Sequence, residues 1–131
     1  MPSPSTAVAR ILIVHDNASV ADTVSRELRL EGHEVWAARS VDEGLTLAQV
    51  HCPNALILDL RMPLAASLSI LRAVRGVPRL ATIPVAIVTG DYHLNEPQMH
   101  ELQALGAELH YAPLWLDELV TLARGLIIPR D

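Results

Sequence analysis

Three side chains in this sequence could do chemistry together, and each stands at the end of an apolar run. Ile11-Leu12-Ile13-Val14 leads into the polar residues His15 and Asp16, Asp59 follows Ala55-Leu56-Ile57-Leu58, and Thr89 follows Val85-Ala86-Ile87-Val88. Two carboxylates and a hydroxyl, without thiols, make a hard oxygen site suited to Mg²⁺. A carboxylate beside a bound cation can also attack phosphorus, because the cation neutralises the oxygens of the incoming group, and the product is an acyl phosphate. A threonine hydroxyl at such a site could donate to a phosphoryl oxygen and report the new charge by moving. Taken alone, Asp59 has a plainer explanation, an acid that starts a turn ahead of Met62-Pro63. Whether the chain brings the three residues together decides between these explanations.

The apolar runs have the composition of strands buried on both faces, and helical stripes lie between them. Ser19 is placed to cap a first helix with Val20, Val24 and Leu28 on one stripe and Gly32 at its stop. His33-Glu34-Val35-Trp36-Ala37-Ala38 is a short extended segment, and Ser40-Val41-Asp42-Glu43 is a capping box opening a helix through Val41, Leu45 and Ala48. Leu68, Leu71 and Val74 mark a third helix closed by Gly76 and Pro78. Ile83-Pro84-Val85-Ala86-Ile87-Val88 predicts a strand that begins near its proline. Asn95-Glu96-Pro97 starts a fourth helix that buries Met99, Leu102 and Leu105 and ends at Gly106. A last strand over Ala107 to Tyr111 precedes a helix with Leu116, Leu119, Leu122, Ala123 and Leu126 on its apolar side. Five strands alternating with five helices imply a doubly wound α/β fold, a parallel sheet covered on both faces. In such sheets ligands sit beyond the carboxyl ends of the strands, where strand order reverses. With the order 2-1-3-4-5, the strands that end in Asp16, Asp59 and Thr89 are central neighbours.

Composition narrows the function classes. The 131 residues suffice for one domain over residues 9–131, behind a Pro- and Ser-rich lead-in, residues 1–8, expected to be disordered. Half the residues are apolar, yet no run reaches the length of a membrane span and Met1-Pro2-Ser3-Pro4 lacks the features of a signal peptide, so a cytoplasmic protein without membrane contact is expected. A net charge of −5 without a basic cluster argues against direct binding of nucleic acid. Cys52 is alone, which excludes an internal disulfide, and no role is assigned to it. No glycine-rich loop follows the first strand, which counts against a dinucleotide or P-loop site. His93 and His100 are expected at the surface, and Trp36 and Trp115 in packing or at an interface.

Four segments, Ile11-Leu12-Ile13-Val14-His15-Asp16, Leu56-Ile57-Leu58-Asp59-Leu60-Arg61-Met62-Pro63, Ile87-Val88-Thr89-Gly90, and Leu105-Gly106-Ala107 followed by Ala112-Pro113, stand in an order and spacing that resembles the receiver domain of the two-component response-regulator family. The resemblance runs over nearly the whole ordered length. It implies a flavodoxin-like (βα)5 fold with a five-stranded parallel sheet, and a signalling domain rather than an enzyme. It further implies that Asp59 is the phosphoacceptor, supplied by a histidine kinase or histidine phosphotransfer protein. Asp16, Asp59 and the backbone carbonyl of Arg61 would hold Mg²⁺, and Thr89 would be the switch hydroxyl. The surface of the fourth helix, fifth strand and fifth helix would meet a downstream protein effector. Oligomeric state stays open, a dimer included.

The chain departs from the family in places that matter. The first residue of the usual acid pair is His15, so one metal carboxylate is missing and weaker Mg²⁺ binding is expected; His15 itself is expected at the rim. The lysine before the final proline is Ala112, and the stretch from Gly106 to Pro113 is one residue short, which leaves His110, Tyr111 or neither as a second switch residue. Arg61 is read as a solvated residue rather than a replacement for that lysine. Ser67 stands where the family commonly has glycine. Three functions therefore compete: a phosphorylated receiver, a pseudo-receiver serving as a phosphorylation-independent interaction module, and, last, a flavodoxin-like small-ligand binder or enzyme.

Overall fold

The computed structural model describes residues 8–59, 64–90 and 94–127. Among these the strands are β1 (Arg10–His15), β2 (Glu34–Ala38), β3 (Ala55–Asp59), β4 (Val85–Thr89) and β5 (Ala107–Tyr111). The helices are α1 (Ala18–Leu30), α2 (Val41–His51), α3 (Leu64–Arg75), α4 (Glu96–Leu105) and α5 (Leu116–Ile127), with a short 3-10 turn at Pro78–Leu80 that the sequence pattern did not announce. All strand pairs are parallel and the order is β2-β1-β3-β4-β5. This is the doubly wound arrangement the alternation predicts, in the flavodoxin-like order the resemblance implies.

Side chains alternate across a strand, so each central strand feeds two cores. Leu12, Val14, Leu56, Leu58, Val85 and Ile87 pack with α3 residues such as Leu68 and Leu71 on one face. Ile11, Ile13, Ala55, Ile57, Ala86 and Val88 pack with Val24 and Leu28 of α1 and Leu119 and Ala123 of α5 on the other. Ile57 and Leu58 are wholly buried, and burying a side chain of that size contributes about 1.5–3 kcal/mol. The register is fixed accordingly, because a one-residue slip would exchange the two faces. Gly44, in the middle of α2, lets that helix sit close on β1: a Cβ there would lie 2.8 Å from a Val14 methyl.

Several helix ends differ in detail from the sequence expectation. The cap of α1 is Asn17, whose side-chain oxygen accepts from the Val20 amide at 3.2 Å; Ser19 lies one step inside the helix and is exposed. Ser40 caps α2 as expected, accepting from Glu43 at 3.2 Å, but the Glu43 carboxylate reaches the Arg39 amide rather than that of Ser40. The complete capping box is at α4, between Asn95 and Gln98. Gly106 ends α4 in the left-handed conformation, φ 72°, where a side chain would be strained. Met99 and Leu116 are exposed, against their assignment to buried stripes, because α4 and α5 each bury a narrower face than the apolar spacing suggested. Trp36 stacks on His51 with ring centroids 4.3 Å apart, whereas Trp115 is exposed. No helix among the described residues is long and apolar enough to cross a membrane.

Candidate functional site

The chain leaves β1 toward one edge of the sheet and returns to β3 toward the other, so a crevice opens where the carboxyl ends of β1 and β3 meet. Asp59 is the last residue of β3 and is buried, and its register partner on β1 is His15. Asp16 follows immediately and is exposed. On the other side Asp59 pairs with Val88, and Thr89, also buried, comes one position later at the end of β4. The three expected site residues thus lie at the ends of three adjacent strands. Arg61, whose carbonyl the family resemblance assigns to metal, and His93 lie outside the described residues, as do residues 1–7 of the expected lead-in.

His15 is not at the rim. It is 7 % exposed, and its ring stands between the two acids, with Nε2 3.4 Å from Asp59 Oδ2 and Nδ1 3.6 Å from Asp16 Oδ1. The main-chain amide of Asn17 donates to Nδ1 at 2.9 Å. The signal that locates it was available in the sequence: with the apolar runs of β1 and β3 aligned, positions 15 and 59 fall side by side and on the same face. The expectation of a rim position treated His15 as following the strand, whereas β1 includes it.

The position of the family lysine is filled differently. Ala112 packs its methyl against the core between the sheet, α1 and α5, and its amide donates to the Thr89 carbonyl at 2.7 Å. A short apolar side chain held there brings no cation to the crevice. On β5, Tyr111 is the register partner of Thr89 and is exposed, while His110 pairs with Val88 and its Nε2 lies 3.6 Å from Glu108 Oε1. Of the two candidates for a second switch residue, Tyr111 is the one placed across from Thr89. Ser67 is buried in α3.

For Mg²⁺ the described residues offer two carboxylates, Asp59 buried and Asp16 exposed, and an imidazole in place of a third acid. Carboxylate oxygens are the right donors for a hard cation, but an imidazole set between them adds no negative charge. Among the described residues no group of three or more His, Cys, Asp or Glu side chains is arranged to hold a metal ion.

A five-stranded parallel sheet in this order, with acids at the carboxyl edge beside the β1/β3 crevice, defines a receiver-type protein. The family model described as response regulator receiver domain matches residues 11–111, and the chain belongs to that family. Among curated relatives, the transcriptional regulatory protein PrrA of Mycobacterium tuberculosis is 30 % identical over 118 residues, covering 90 % of this chain and 49 % of that protein. The response regulator MprA of the same species is 30 % identical over 118 residues, covering 90 % of this chain and 50 % of its own length. The chain therefore spans about half the length of the curated relatives it matches. Among solved structures, the chemotaxis response regulator CheY4 of Vibrio cholerae is similar with a TM-score of 0.75 and 25 % identity, over 92 % of this chain and 100 % of that one. A response regulator from Burkholderia multivorans, at 23 % identity and a TM-score of 0.71 over 95 % of this chain and 99 % of its own, shares the fold. The chain is a receiver domain of a two-component response regulator, a class of signalling domain that works with histidine kinases and effector domains.

Proposed function

We propose that this receiver accepts a phosphoryl group on Asp59 from a histidine kinase or histidine phosphotransfer protein and signals through the surface of α4, β5 and α5 to a downstream protein effector. The observation that carries the proposal is the placement of Asp59, a buried carboxylate at the end of the central strand with Asp16 and Thr89 at the ends of the strands on either side. An oxygen of Asp59 forms a bond to phosphorus while the bond from phosphorus to the donor breaks, and the donor leaves with the electron pair. Thr89 donates to an oxygen of the new group, and β4 and α4 shift with it; Tyr111, across from Thr89, follows. Bound Mg²⁺, held by Asp16, Asp59 and the Arg61 carbonyl, would supply charge that offsets the phosphoryl oxygens, and its affinity is weak because two carboxylates ligate instead of three. The protein acts in the cytoplasm, as a signalling domain without an enzymatic reaction of its own, and without contacting nucleic acid or membrane directly.

One observation favours a second reading, a pseudo-receiver that binds its partner without phosphorylation: the lysine position holds Ala112, whose methyl packs against the core. Incubating the protein with a small phosphodonor and Mg²⁺, then weighing it intact beside Asp59→Asn, separates the two. A phosphoryl-sized gain in the parent alone supports the receiver. No gain from the phosphodonor or from any histidine-phosphorylated donor supports the pseudo-receiver.

A further inference from the structure

His15 carries more structure than a lost metal ligand needs. Its Nδ1 accepts a hydrogen bond from the Asn17 amide at 2.9 Å, and a ring nitrogen that accepts cannot also bear the hydrogen. The hydrogen of the neutral ring is therefore on Nε2, the nitrogen 3.4 Å from Asp59 Oδ2. That separation is longer than an ordinary N–H···O bond, so in this structure the two groups approach without forming one, and the bond forms only when the ring or the carboxylate turns toward the other, as catalytic contacts do when they tighten around substrate. The main-chain amide that fixes the ring belongs to the residue capping α1, so the tautomer is set by the start of a helix rather than by a mobile side chain. At 7 % exposure, water has little access to compete for either nitrogen.

We propose that His15 is a positioning residue for the phosphoacceptor: its Nε2–H holds the Asp59 carboxylate through Oδ2 and leaves Oδ1 as the oxygen that takes the phosphoryl group. The inference rests on the reading of Asp59 as the phosphoacceptor. It also gives His15 a task distinct from ligation, since an N–H can orient an oxygen but cannot ligate a cation. The change from acid to histidine in this chain then replaces part of the metal's hold on Asp59 with a hydrogen bond from the protein.

The first test uses the unphosphorylated parent. Nitrogen-15 shifts of His15, measured in mildly alkaline buffer, are expected to show hydrogen on Nε2 and a bare Nδ1; the opposite tautomer, or an exchanging mixture, overturns the proposal. The second compares phosphorylation rates from a small phosphodonor. His15→Leu is expected to slow the reaction about tenfold, the worth of one hydrogen bond to a charged group. His15→Gln, whose carboxamide nitrogen reaches the Nε2 position, is expected to recover most of the rate. A parental rate in His15→Leu, or equal losses in both variants, contradicts the positioning role. Third, His15→Asp restores the acid pair and is expected to tighten Mg²⁺ binding at least tenfold in a calorimetric titration; unchanged affinity contradicts the assignment of the weak ion to this position. If the parent takes no phosphoryl group at all, the reading of Asp59 fails, while the tautomer and Mg²⁺ results still decide whether His15 is built as described.

Discussion

Replacing Asn17 by alanine separates the two things this residue does. Its side-chain oxygen accepts from the Val20 amide at 3.2 Å and caps α1, while its main-chain amide holds His15 Nδ1 at 2.9 Å. Alanine removes the first and keeps the second. Loss of a side-chain cap costs about 1 kcal/mol, which for a domain of this size lowers the thermal midpoint by roughly 3–4 °C. The neighbouring Ser19, the cap that sequence spacing favours, is exposed and sits inside the helix, so Ser19→Ala should stay within about 0.5 kcal/mol of the parent. Urea unfolding followed by circular dichroism gives both values. In the same samples the nitrogen-15 shifts of His15 should be those of the parent, because the amide that fixes the ring is still present. The reasoning is refuted if Ser19→Ala costs more than Asn17→Ala, or if Asn17→Ala changes the His15 tautomer.

Two further predictions concern the ends of the helices that frame the sheet. Arg75 donates to the carbonyls of Leu105, Leu80 and Ile83 at 2.8, 3.1 and 2.7 Å, and burial pushes its guanidinium below the usual arginine range. Arg75→Met removes all three bonds and should cost about 2 kcal/mol, less than three full bonds because water reaches part of the site; an unchanged urea midpoint would show that the carbonyls are served otherwise. Arg124 forks onto Glu31, with Nε 3.0 and 3.1 Å from its oxygens, joining α5 to the end of α1. The hydrogen bond from Arg124 holds the Glu31 carboxyl below its ordinary value. The stability this pair adds is therefore present above the unfolded carboxyl pKa and disappears as pH falls through the lowered folded one. The gap between parent and Arg124→Gln should be small at neutral pH, narrow further with added salt, and close in acid; a gap that widens in acid would reverse the assignment.

Much of this architecture is legible in the residues. Buried strands write themselves as continuous apolar runs, and Ile57-Leu58 or Ile87-Val88 have no other plausible place, so strand number, alternation and the three site positions follow from pattern. What pattern handled poorly was position across one or two residues. Asn17 and Ser19 are both good capping residues, and only the path of the chain out of β1 decides between them. Met99 and Leu116 continue an apolar stripe but fall outside the narrower faces that α4 and α5 bury. His15 is the instructive case, because its type suggested a polar rim while its register placed it beside Asp59. A histidine can be buried at low cost when one nitrogen meets an amide and the other a carboxylate. The replacement of the lysine by Ala112 was visible at once, but that its methyl packs against the core beside α1 and α5 needed the three-dimensional arrangement.

Reduction of the phosphorylated protein with borohydride, followed by peptide sequencing by mass, tests the central claim most directly, because an aspartyl phosphate is converted to homoserine while free aspartates are left alone. The account predicts homoserine at position 59 and aspartate at position 16. Homoserine at any other position, or none in protein that has gained a phosphoryl mass, would contradict it.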